Sequence, residues 1–104
     1  MTQPEKIDLI FNRASEYFGV SKKDLTAVMD QNQKSTWWYE KALIGHYAYD
    51  NTSLGKRKIS AMMGYKHHSN FLHHYRKIQD ELGETYGYEK TQKVYKELKE
   101  YIGL

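Results

Sequence analysis

The first pattern in the chain is apolar. Ile7, Ile10, Phe11, Ala14 and Phe18 recur at spacings of three and four, with Asp8, Asn12, Arg13 and Glu16 between them. That period belongs to a helix with one buried face. Pro4 suits its first turn and Gly19 suits the left-handed residue that closes it. Ser21 can cap a new helix start, with Asp24 near its positive end, which predicts a short helix through Leu25 and Val28. Asp30 to Ser35 is wholly polar and reads as a loop. Trp37, Trp38 and Tyr39 then lead into Ala42, Leu43, Ile44, Tyr47 and Ala48. Apolar residues there cover nearly the whole circumference, so this is the expected central helix. Asp50-Asn51-Thr52-Ser53 and Gly55 break it.

Beyond Gly55 the period returns twice in quick succession. A short helix carries Ile59, Met62 and Met63 as far as Gly64. A longer one follows, with Leu72, Tyr75, Ile78, Gln79 and Leu82 as its expected inward face, Phe71 beside it and Gly83 as its stop. A last helix, about 89–102, places Thr91, Val94, Tyr95, Leu98, Tyr101 and Ile102 on one stripe. The expected architecture is a single all-α domain of about six short helices, with a helix-turn-helix near 55–82.

Composition narrows the class. The 104 residues are 39% hydrophobic and 28% charged, as in a folded globular domain rather than a disordered chain. There is no cysteine, so disulfides, thiolate zinc sites and cysteine nucleophiles are excluded. No apolar run has membrane-spanning length and the first residues lack a signal-peptide pattern, so a cytoplasmic protein without membrane contact is expected.

The net charge of +3 says little, but its distribution says more. From Asn51 to Gln79 there is no Asp or Glu, while Lys56, Arg57, Lys58, Lys66, Arg76 and Lys77 all fall there, with His67, His68, His73 and His74. Six positive charges in that segment leave −3 for the rest. A concentrated basic surface is what phosphate binding requires, because each neutralised phosphate releases counterions. The plainer reading is a solvated face that happens to lack acids. The helix-turn-helix pattern favours the first, since its second helix is the element that enters a major groove. His67, His68, Ser69, Asn70 and, one turn later, His73 are hydrogen-bonding groups suited to base edges. Lys56, Arg57, Lys58, Lys66, Arg76, Lys77 and Lys34 are the expected phosphate contacts.

The run from Ile59 to Ile78, ISAMMGYKHHSNFLHHYRKI, resembles the signature of the C-terminal DNA-binding domain of the bacterial replication initiator DnaA, roughly I-G-x-x-F-G-G-R-D-H-[ST]-T-V-x-H-A-x-x-K-I. The segment from Ile7 to Leu25, with Tyr17-Phe18 and Val20 to Leu25, is similar to that family's opening helix. The likeness covers most of residues 7 to 82. It implies an all-α, Trp-repressor-like helix-turn-helix and binding of double-stranded DNA. It also implies base contacts at His68, Ser69 and His73, which match the family's residues. Where the family has Asp and Thr, this chain has His67 and Asn70, and Tyr65-Lys66 replaces Gly-Arg. The family's arginine-bearing loop corresponds to Met29 to Thr36, which offers only Lys34. These departures imply weak or no preference for the family's usual box.

Other chemistry fits poorly. Leu54-Gly55-Lys56-Arg57 lacks the first glycine and the Ser/Thr of a P-loop, having Asp50 and Arg57 at those places. His46, His67 and His74 form no pair at zinc-ligand spacing, so no metal or other cofactor is expected. The acids are scattered rather than clustered, which argues against an enzyme. Two functional classes remain: a sequence-selective DNA-binding regulator of replication or transcription, or a former DNA-binding fold now serving as an adaptor or inhibitor of another protein. The second would use a Trp/Tyr-rich surface from Trp37, Trp38, Tyr86, Tyr88, Tyr95 and Tyr101.

Overall fold

Thr2 accepts the Glu5 amide at 3.3 Å and opens helix α1 (Gln3–Phe18), with Pro4 in its first turn. Gly19, at φ 67°, closes it through a bond from its amide to the Ser15 carbonyl. Ser21 caps α2 (Lys22–Leu25) by accepting the Asp24 amide at 3.2 Å. The computed structural model describes residues 2–26, 37–83 and 87–103. The expected extension of α2 to Val28, the loop 29–36 with Lys34, and Tyr86 lie outside the described residues. Helix α3 (Trp38–Asn51) follows, then α4 (Lys56–Met62), α5 (His68–Glu81) and α6 (Glu89–Ile102). The described residues are thus all-α. No described helix is long and apolar enough to cross a membrane.

Helix α3 is the hub, as its all-round apolar pattern predicts. Every residue from 41 to 48 is buried, and α1, α4 and α5 all pack on it. Ile7, Ile10, Phe11 and Ala14 of α1, Leu25, Ile59, Ile78, Leu98 and Ile102 complete one contiguous core. The stripe of α6 is buried at Thr91, Tyr95, Leu98 and Ile102, whereas Tyr101 is exposed. Arg13 reaches from α1 to the Ile102 carbonyl at the end of α6, and Tyr17 donates to Glu97 at 2.8 Å. The last helix is thereby joined to the first.

The inward face of α5 differs from the expected one. Phe71, Ile78 and Glu81 are buried, Leu72 and Tyr75 are half-buried, and Gln79 is exposed apart from its side-chain tip. The reason is a close approach between helices. Gly45 of α3 leaves a notch in which the Phe71 ring sits. A β-carbon at residue 45 would lie 2.8 Å from Phe71 Cε2, so any side chain there would force the ring or the helices to shift. The Gln79 side-chain oxygen instead accepts a 2.6 Å hydrogen bond from His46 Nε2, and His46 Nδ1 bonds the Tyr95 hydroxyl at 2.8 Å. One buried imidazole therefore joins α3, α5 and α6.

A second buried polar group lies beneath the start of α5. Lys41 is fully buried, its ammonium 5.0 Å from the centre of the Tyr65 ring. Burial holds that ammonium down at about 8 rather than 10.5. The folded state therefore binds fewer protons than the unfolded chain between about pH 8 and 10.5, and stability rises with pH across that window. Below about pH 8 both states are protonated and the cost of burying the charge is complete.

Two outcomes follow from these contacts. Gly45→Ala should lower stability in urea by about 1–3 kcal/mol, the usual cost of overpacking a core; a loss within error would mean that the Phe71 ring moves aside freely. Wild-type stability should rise by about 1 kcal/mol between pH 7 and 9. Lys41→Met should flatten that rise, and a flat wild-type profile would contradict the burial of the charge.

Candidate nucleic-acid interface

Helices α4 and α5 are joined by a tight reversal at 63–67. The Gly64 amide bonds the Ala61 carbonyl at 3.2 Å and the Tyr65 amide bonds the Ser60 carbonyl at 3.0 Å. Gly64 takes φ 80° there, a left-handed conformation costly to any residue with a β-carbon. The chain then passes through Tyr65, which is buried, and His67, the extended residue just before α5. The Tyr65 hydroxyl and His74 Nδ1 share a 2.8 Å hydrogen bond, which braces the turn against the helix it introduces. Burial, followed by the charges of His73, Lys77 and Lys41, lowers the pKa of His74 from its ordinary value.

All five residues expected at base edges, His67, His68, Ser69, Asn70 and His73, are exposed, and so are Lys56, Arg57, Lys58, Lys66, Arg76 and Lys77. They do not form one row. At about 100° per residue, and with Ser69 as origin, His73 lies at about 40°, Arg76 at about −20°, Lys77 at about 80° and Asn70 at about 100°. Phe71 and Ile78 lie close to 180°, on the face that packs against α3. Ser69, Asn70, His73, Arg76 and Lys77 therefore share the outward face, which meets its first acid at Asp80.

His68 points about 100° to the other side. It lines a shallow cleft of about 280 Å³ with Arg57, Ser60, Ala61, Tyr65 and Lys66. The structure thus brings Arg57, Lys66 and His68 together at the junction of the two helices. His67 makes no side-chain cap hydrogen bond and the first turn of α5 holds no acid, so the positive end of the helix dipole adds to these cations. An anion would be favoured at this junction.

Lys77 has a further contact that its spacing did not announce: its ammonium lies 4.5 Å from the centre of the Trp38 ring. Both tryptophans are half-buried, and Trp37 packs against the core. The C-terminal tyrosines do not assemble into one surface. Tyr95 is buried on His46, while the exposed Tyr88 and Tyr101 stand at opposite ends of α6, about 20 Å apart. His46 bonds Tyr95 and Gln79 through its two ring nitrogens, and His74 bonds Tyr65 through Nδ1. No group of three or more His, Cys, Asp or Glu side chains placed to hold a metal occurs among the described residues. Comparison of the chain with family models, with curated proteins and with solved structures finds no match.

Proposed function

We propose that this chain binds double-stranded DNA, as a regulator of replication or transcription, with α5 entering the major groove from its N-terminal end. The observation that carries the reading is the outward face of α5. It presents Ser69, Asn70 and His73 in sequence with Arg76 and Lys77, without a carboxylate before Asp80. Such a face offers donors and acceptors to base edges and repels no phosphate. The cluster of Arg57, Lys66 and His68 at the helix junction, with Lys56 and Lys58 beside it on α4, suits the flanking backbone. The resemblance to the DnaA DNA-binding domain points the same way.

Within this reading the residues divide by role. Ser69, Asn70 and His73 face the bases. Asn70 can pair with adenine through one donor and one acceptor. His68, off that face, reaches either the first base pair or the phosphate held by Arg57 and Lys66. His67, just before the helix, lies at the groove edge.

Affinity for duplex DNA should fall with salt at a log–log slope of about −5, as six phosphate contacts require. Arg57→Ala should weaken all duplexes alike and reduce that slope by about one, whereas His73→Ala should cost about 1–3 kcal/mol on sites selected from a random pool and relax preference at one position. A slope near zero would remove the DNA reading. Equal, sequence-independent losses from both variants would remove the base-reading role of His73.

A further inference from the structure

The outward face of α5 continues past Arg76. Lys77 lies seven residues and about 10 Å beyond Asn70, roughly three nucleotide steps at about 3.4 Å each. There α5 meets the starts of α3 and α6 around a cleft of about 340 Å³, walled by Trp38, Tyr39 and Tyr88. Lys77 stands over Trp38, and the Lys90 ammonium lies 5.7 Å from the centre of the Tyr39 ring. The cleft also contains an acid, Glu81, but its carboxylate is buried and accepts the Thr91 hydroxyl at 2.7 Å, and Thr91 is bonded in turn to the Tyr39 hydroxyl. Lys77 and Lys90 are the exposed charged residues among those lining it.

Tyr88 is the unusual member. It is 65% exposed, and its ring has no aromatic or hydrogen-bonding partner among the described residues. Its backbone is nevertheless held. The Tyr88 amide donates to the Glu81 carbonyl at 2.9 Å, and the Gln92 side-chain amide donates to the Gly83 carbonyl at 3.0 Å. The preceding Gly87 is packed so closely that a β-carbon would collide with the Gly83 and Glu81 carbonyl oxygens. A large ring is therefore presented to solvent from a clamped backbone, beside two cations and next to the end of the basic face.

We propose that this cleft takes an unpaired nucleotide adjoining the bound duplex, its base stacked on Tyr88 and its phosphates between Lys77 and Lys90. The proposal rests on the duplex-binding reading above. A flat π-face with a charged backbone matches an exposed ring flanked by ammonium groups, the combination that holds single strands without sequence preference. The continuity of the charge with α5 gives the strand a path into the cleft.

The test compares, by fluorescence anisotropy, a blunt duplex, the same duplex with three unpaired thymidines at one end, and a free oligothymidine strand. The overhang should raise affinity about fivefold or more, within the range of base stacking on an aromatic side chain. Tyr88→Ala should abolish that gain while leaving blunt-duplex affinity within about twofold, and Lys90→Ala should reduce the gain in part. Tyr88 and Lys90 lie outside the duplex-reading set, so blunt-duplex binding reports separately on that reading. If the blunt duplex binds but the overhang adds nothing, or if Tyr88→Ala keeps the gain, the cleft proposal falls and the duplex reading stands. If only the free strand binds, and through Tyr88, the cleft assignment stands and the duplex reading falls. Binding to none of the three overturns both. An acidic, tryptophan-bearing peptide that binds the wild type but not Tyr88→Ala, with no overhang gain, would assign the cleft to a protein partner instead.

Discussion

The Phe71 ring occupies the space that a side chain at residue 45 would need, and the placement of α5 depends on that contact. A helix seated by one large buried residue can turn little about its own axis. With Phe71 and Ile78 inward, Ser69, His73 and Arg76 must face out. Tyr65 and Tyr49 meet the same ring at 5.8 and 6.1 Å between centres, so the turn before α5 and the end of α3 are fixed by the same contact. Losing it would free the rotation on which every assignment along the outward face relies.

Polar groups inside the core carry that geometry to the rest of the molecule. His46 bonds both Gln79 on α5 and Tyr95 on α6, and stacks on Tyr75 at 4.5 Å. Tyr75 in turn donates to Asp50 at 2.8 Å, at the end of α3. Asp50 thus meets α5 on the side away from the basic face. A satisfied buried network of this kind specifies one arrangement of three helices, because any other leaves an imidazole or hydroxyl unpaired. The same network fixes α6 relative to α5, and with it the position of Tyr88 beside Lys77.

The helical content was readable because the signals were local. Pro4, Gly19 and Ser21 mark ends, and the spacing of Ile7, Ile10, Phe11 and Ala14 marks a face. The acid-free segment was equally plain, as charge sign needs no fold. What sequence could not supply were the contacts between distant positions. Gln79 looks like part of an inward stripe, and only its bond to His46 explains why its tip turns in while its body stays exposed. Lys77 looks like an ordinary phosphate contact until Trp38, 39 residues earlier, is found beneath it. Tyr88 and Tyr95 belong to one expected tyrosine surface, yet Tyr88 is exposed and Tyr95 is buried on His46. Lys90 carries no motif at all, and its place in the cleft comes from its position in the first turn of α6.

Glu16 and Glu97 are engaged by Tyr101 and Tyr17 along the seam of α1 and α6, while the cations of 56–77 lie on α4, the turn and α5. The central claim, that the α4–α5 surface is the one that meets DNA, is tested most directly by backbone amide NMR during titration with a mixed-sequence duplex at low salt. Perturbations should concentrate at residues 56–58 and 64–77 and leave the α1–α6 seam unchanged. Perturbations confined to α1 and α6, or none at all, would contradict the account.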